Sequence, residues 1–210
     1  VQITRFGLQN RSLIESGVSL RQPWITLPLA EVFCVKLHRN AIILHTFRRD
    51  SQKPSIWYPK YIVIDFGSKV SQKECMLKVV QDELDSMVHR PKRLLVFINP
   101  ISGSKQALSK YKDYIEPFFK LGGISSDVIE TKEFDQDASC QIAAVISGIR
   151  DNKVSYDGII AVGGDGLCTK LVNVCVDTLY REGGGIISPI RLGHIPCGST
   201  DALSSSLNGT

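Results

Sequence analysis

Leu94-Leu95-Val96-Phe97-Ile98-Asn99-Pro100 is the stretch that decides the fold. Five successive apolar residues without polar alternation suit a strand covered on both faces, and Pro100 ends it because proline has no N–H for the ladder. A strand of that kind belongs to a parallel sheet with helices packed on it, and the chain downstream alternates accordingly. A second strand is expected over 127–131, a third over 158–162 and a short fourth over 191–195. Between them, Leu108, Tyr111, Ile115 and Phe118 share one helical face, as do Ile142, Val145, Ile146 and Ile149.

Upstream of Pro91 the pattern is different. Short β-rich runs at 32–35, 41–47 and 61–66 are broken by polar turns carrying Arg48, Arg49, Asp50 and Pro54, which predicts an antiparallel meander over 24–66. Met76, Val79, Val80, Leu84 and Met87 then fall three and four apart, so an amphipathic helix over 74–88 should close that sheet and stop at His89-Arg90-Pro91. Two domains are expected, 1–88 and 90–210. A helix start at Asp201 so near Thr210 reads as part of a longer protein.

Of the 210 residues, 43% are hydrophobic and 22% charged, the composition of a folded globular chain. No run approaches the roughly 18 apolar residues that cross a bilayer, so a cytoplasmic protein is expected. Six scattered cysteines form no CxxC pair and no Cys/His cluster, which argues for reduced thiols. Residues 1–90 hold 13 Lys and Arg against 8 Asp and Glu, whereas residues 91–210 hold 12 against 13. A basic front half suits anionic lipid or phosphoinositide headgroups as well as nucleic acid, since all attract through phosphate charge. The plainer alternative is that Lys36, His38, Arg39, Arg48, Arg49, Lys53 and Lys60 are solvated edge residues that discourage strand pairing. Trp24 and Trp57 are open to a core or a membrane-contacting role.

Three loops follow the expected strands: Asn99 to Lys105, Gly163-Gly164-Asp165-Gly166, and Pro196-Cys197-Gly198-Ser199-Thr200-Asp201. In an open parallel sheet such loops line one crevice. Glycines at 163, 164 and 166 permit φ > 0 and close approach to a phosphate, with a helix N-terminus behind them. Asp165 beside a polyphosphate needs a metal, or works as a base on an incoming hydroxyl. Against this stands a tight turn in which Asp165 is a helix cap, and capping is also the ordinary use of Ser199, Thr200 and Asp201 before a helix. His194 reads as a strand-end residue.

Taken together, Asn-Pro…Gly, Gly-Gly-Asp-Gly and Pro-x-Gly-Ser-Thr-Asp resemble the catalytic domain of the diacylglycerol kinase superfamily, with 90–100 and 195–201 closest to ceramide kinases. The resemblance implies a doubly wound α/β nucleotide-binding subdomain, ATP and Mg2+ as cofactors, and phosphorylation of a ceramide-like membrane lipid. By position, Asp165 would be the general base, with Gly163, Gly164 and Gly166 around the lipid hydroxyl. Asn99, Pro100, Ile101, Gly103, Thr131, Gly198, Ser199 and Thr200 would contact ATP. No residue is assigned to the metal. Residues 1–88 look like the pleckstrin-homology-type module of ceramide kinases, implying peripheral membrane association, phosphoinositide contact and no nucleic-acid partner. Two departures stand out: Lys105 replaces the second glycine of the family's Gly-x-Gly, and Lys170 replaces a nucleotide-contacting Glu. They keep open a catalytically eroded lipid- or nucleotide-binding protein. Nucleotide-cofactor kinases also use Gly-Gly-Asp-Gly, but without a basic β-module in front.

Overall fold

A computed structural model of the chain describes residues 2–4, 7–10, 14–15, 18–19, 25–49, 51–52, 57–103, 105–131, 135–151, 153–181 and 190–208. Trp24, Asp50, Lys53 and Pro54, named above, and Ser104 of the loop from Asn99 to Lys105 lie outside them. The chain divides into two compact units, Val1–Arg90 and Pro91–Thr210.

The front unit holds β1 (Gln2–Thr4), β2 (Gly7–Asn10), β3 (Ile14–Glu15), β4 (Val18–Ser19), β5 (Ile25–Leu27), β6 (Val32–His38), β7 (Ala41–Arg49), β8 (Trp57–Asp65) and α1 (Val70–Ser86). Five strands pair in the order β4-β3-β8-β7-β6, and β1, β2 and β5 form a second sheet. The expected meander is β6, β7 and β8, all antiparallel. Period-two alternation puts Ile42, Leu44, Ile62 and Ile64 on one face, where Met76, Val80 and Leu84 of α1 cover them. Lys73 is buried beside that core and donates from Nζ to the Arg39 carbonyl at 2.8 Å. The Arg90 guanidinium donates to the carbonyls of Val32 and Phe33. Helix α1 starts four residues before the expected point. Its first turn adds only Val70, which is half exposed, so no apolar period marks it.

The second unit contains β9 (Arg93–Ile98), α2 (Ala107–Lys110), a π turn (Tyr111–Ile115), α3 (Glu116–Leu121), β10 (Ser125–Glu130), α4 (Asp135–Arg150), β11 (Gly158–Gly163), α5 (Asp165–Cys175) running into a second π turn (Val176–Arg181), β12 (Arg191–Pro196) and α6 (Ala202–Asn208). Its four strands are parallel, in the order β10-β9-β11-β12. Leu95 to Ile98 are fully buried, as the apolar run requires. Leu95, Phe97, Ile159 and Ala161 pack on one face against Ile142 and Ile146 of α4 and Leu167 and Leu171 of α5. Leu94, Val96, Ile98 and Val162 pack on the other against Ala107, Tyr111 and Phe119. Helices thus cover both faces, the doubly wound arrangement.

The helical face expected through Phe118 is shifted. Pro117 has no N–H for the carbonyl four residues earlier, and the helix widens into the π turn just ahead of it. The extra residue turns Phe119 inward, with Phe118 only partly buried. Tyr111 is buried with its hydroxyl 2.8 Å from Ser126 Oγ.

At the amino end of the sheet, Asp127 accepts from the Tyr156 hydroxyl at 2.7 Å and from Arg93 at 2.6 Å, and the guanidinium lies 4.8 Å from the Tyr156 ring centre. The Tyr156 hydrogen bond, then that of Arg93, hold the Asp127 carboxyl below its ordinary range. Asp157 accepts the backbone N–H groups of Lys92 and Arg93 at 2.7 and 2.8 Å, and its carboxyl is lowered, Arg93 N–H contributing most. All six cysteines are free thiols; burial pushes Cys175 up to about 11. No helix among the described residues is long and apolar enough to cross a membrane.

Candidate active site

The strand order reverses direction between β9 and β11, because the chain leaves β9 to one side for β10 and crosses back for β11. That switch point is where an open α/β sheet presents its ligand crevice. The loops after β9 and β11 flank it, and the loop after β12 closes on both.

Asn99 turns the first loop on itself. Its Oδ1 accepts the Ile101 N–H at 3.1 Å, and its carbonyl accepts the Ser102 N–H at 3.1 Å. Ser102 is nearly buried, and its Oγ accepts the Gly164 N–H at 2.7 Å, tying first loop to second. The Asn99 N–H donates to the Val162 carbonyl at 3.1 Å. The second and third loops join through Gly163, whose carbonyl accepts from the Cys197 N–H at 2.9 Å and from His194 Nε2 at 3.0 Å.

The glycines serve differently from the expectation. Of those in the three loops only Gly103 has positive φ, +56°; Gly164 is extended at φ −86°, and Gly163 and Gly166 are not left-handed. Their use is close approach of backbone to backbone. A Cβ on Gly198 would sit 2.6 Å from Gly164 Cα, and one on Gly103 would sit 2.6 Å from the Cys197 carbonyl oxygen. Gly166, by contrast, meets nothing within 4 Å. Lys105 takes a left-handed φ of +61°, a conformation glycine holds without strain and other residues pay for.

Asp165 is the first residue of α5 and Gly164 is that helix's cap, so Asp165 does not cap its own helix. Its carboxylate reaches the next one: Oδ2 accepts the Ala202 N–H at 2.7 Å and Oδ1 the Leu203 N–H at 3.2 Å, at the start of α6. Asp201, at φ +47°, accepts the Gly198 N–H on Oδ1 at 2.8 Å. Ser199 and Thr200 are exposed at the rim, as are Ile101 and Gly103, while Asn99 and Pro100 are half buried. Thr131 follows β10 and is buried, its hydroxyl donating to the Ile98 carbonyl at 3.3 Å. It is thus set back from the rim that Ser199 and Thr200 form. Lys170 lies half-buried on α5.

Sequence reasoning missed Ser102, His194 and Asp201 as parts of the site. A serine inside Asn-Pro-x-Ser-Gly carries no signal that its oxygen will cap another loop. His194 is isolated in sequence and meets Asp165 only through the pairing of β11 with β12.

An open parallel sheet, helices on both faces and three interlocked loops at the switch point define an α/β domain with a crevice at the carboxyl end of its sheet. The chain belongs to the diacylglycerol kinase catalytic domain family, whose model matches residues 93–210. It is 34% identical to human ceramide kinase over 143 residues, 64% of this chain and 25% of that protein. Over 118 residues it is 32% identical to sphingosine kinase 1 of Arabidopsis thaliana, covering 56% of this chain and 22% of that one. Human ceramide kinase-like protein is 29% identical over 149 residues, 58% of this chain and 26% of the relative. The chain thus spans about a quarter of the length of the curated relatives it matches.

Proposed function

We propose that this chain is the nucleotide-binding part of an ATP-dependent lipid kinase, transferring the γ-phosphate to the primary hydroxyl of ceramide or a related sphingoid or glycerolipid. The observation that carries it is Asp165, set at the switch point among interlocked loops in a chain of this family. Two backbone N–H groups fix the carboxylate's orientation, and each oxygen keeps a second lone pair for a substrate proton. Gly166, beside which nothing lies within 4 Å, gives the lipid hydroxyl room, while Gly163 and Gly164 hold the loops around it. Asn99, Pro100, Ile101 and Gly103 form one wall for ATP and Gly198, Ser199 and Thr200 the other, with Thr131 at the base.

The family implies a divalent cation with the nucleotide. The donors present fit one: Asp165 and Asp201 offer carboxylate oxygens at the crevice, the ligand class magnesium requires. Bound there, magnesium would neutralise charge on the transferred phosphoryl group.

The test is phosphate transfer from labelled ATP to ceramide by the full-length protein. Asp165→Asn keeps an oxygen for one of the two α6 N–H groups and sets its NH2 against the other, so it should lose about 10²–10⁴-fold in rate, far more than the loss of one hydrogen bond to α6 would explain, with the protein still folded. Equal rates in both proteins reject the base assignment. Lys170, where the family carries a Glu, favours a second reading as a binding protein without catalysis. Nucleotide binding with no transfer from the wild-type protein would select it.

The front unit fits a pleckstrin-homology-type module by its meander and closing helix. Lys36 and Arg39 are exposed near the β6–β7 turn and suit phosphoinositide headgroups at a membrane surface. Co-sedimentation with phosphoinositide liposomes should fall as salt rises, and association indifferent to salt counts against headgroup binding.

A further inference from the structure

We infer that Ser102 is a positioning residue for Asp165: acting on the peptide between Gly163 and Gly164, its hydroxyl oxygen sets the direction of the carboxylate and couples the proposed ATP wall to the proposed base. Its part in the reaction rests on the kinase reading. The Gly163 carbonyl and the Gly164 N–H belong to one peptide group, and in a trans peptide they point in opposite directions. From the third loop, the Cys197 N–H at 2.9 Å and His194 Nε2 at 3.0 Å hold the carbonyl. From the first loop, Ser102 Oγ accepts the N–H at 2.7 Å. The Gly164 carbonyl then accepts the N–H groups of Leu167 and Cys168 at 3.2 and 3.4 Å, which opens α5. Asp165 is the next residue, so the way this peptide lies sets the direction in which its side chain leaves the helix.

Glycine on both sides leaves that peptide little torsional preference of its own. A flip of the plane would carry Gly164 from φ −86° into the positive region, which glycine accepts and a residue with a Cβ resists. Hydrogen bonds must therefore supply the restraint. Ser102 is suited to it, being nearly buried and itself fixed on both sides: its N–H donates to the Asn99 carbonyl and its carbonyl accepts the Lys105 N–H, each at 3.1 Å. With Ser102 replaced by alanine, the Gly164 N–H would be left without its acceptor where water is scarce, a costly state that the peptide can relieve only by tilting away.

The loops do not need this oxygen to meet. The Asn99 N–H already joins the first loop to the Val162 carbonyl, and Gly103 lies against the main chain of Cys197 and Gly198. What the Ser102 side chain adds is a tie from the stretch between Asn99 and Gly103 to the one peptide that aims the base. The effect continues past Asp165, whose two oxygens hold the Ala202 and Leu203 N–H groups at 2.7 and 3.2 Å. A carboxylate turned by a tilted peptide would release those two amides, far along the chain from Ser102.

The test compares Ser102→Ala in the full-length protein with Ser126→Ala, which removes the hydroxyl paired with Tyr111 elsewhere in the unit. At saturating ATP, Ser102→Ala should lower kcat about 10- to 100-fold with the ceramide KM within about twofold, the pattern of a misdirected base. Ser126→Ala should leave kcat within about twofold. In an Asp165→Asn background Ser102→Ala should cost nothing further, since it acts through that carboxylate. Without any ligand, hydrogen exchange at Ala202 and Leu203 should quicken about three- to tenfold in Ser102→Ala while β9 and β11 keep their protection. Unchanged exchange at those two amides, a general rise across the unit, or the same fractional rate loss in the Asp165→Asn background overturns the proposal. A wild-type protein that transfers no phosphate sinks the kinase reading alone, and the exchange result still decides whether Ser102 directs Asp165.

Discussion

The two ends of the parallel sheet are built from different materials. At the carboxyl end, loops meet backbone to backbone through Gly103, Gly164 and Gly198, and few side chains bind one another. At the amino end, Arg93, Asp127, Tyr156 and Asp157 clip β9, β10 and the approach to β11 together through charged side chains. The contrast separates two jobs. Backbone packing fixes a crevice while leaving polar groups such as Ser199 and Thr200 exposed at its rim. The side-chain clip spends its polar groups on the fold, and variants there should alter stability alone.

The largest effect that would break this contrast is expected from Gly103→Ala. Its Cβ meets the Cys197 carbonyl and its backbone is left-handed, so a loss of roughly 2–4 kcal/mol is expected by denaturant unfolding. Ready tolerance of that alanine would show the loops to be loosely joined. Next is the acid response of the amino end. Asp157 has a folded pKa below its unfolded value, so the stability it contributes is present above the unfolded carboxylate pKa of about 4 and is lost as pH falls through the lowered folded value. Asp157→Asn should lower the melting temperature at pH 7 and flatten its decline between about pH 5 and 3, with transfer activity intact. An unchanged acid slope would remove Asp157 from the clip. The smallest effect is Lys105→Gly, which relieves a left-handed lysine and should stabilise by about 0.5–1 kcal/mol; a destabilised variant would show that the lysine side chain is held by contacts worth more than the strain.

The second unit was legible because its central strands β9 and β11 are buried on both faces. An unbroken apolar run such as Leu94–Ile98 has few other uses, and the loops that follow such strands must converge. The short strands β1 to β4 left no trace because two- to four-residue pairings have no period to read. The π turn at Tyr111–Ile115 was illegible because a regular 3.6-residue period was assumed across Pro117. At the site, the residue types in each loop could be read, but not their partners. That Asp165 reaches α6, and that Ser102 caps Gly164, depend on distances between loops far apart in sequence.

The glycine contacts between loops also bear on how such a chain drifts over evolutionary time. The obstacle to a side chain at Gly198 is the main chain of Gly164, which no rotamer change can move aside. Selection for a foldable protein alone would preserve that pair more strictly than Asp165, whose exchange for asparagine loses one hydrogen bond to α6 and moves no main chain. In a lineage losing catalysis, the glycines of the signature would therefore outlive its carboxylate.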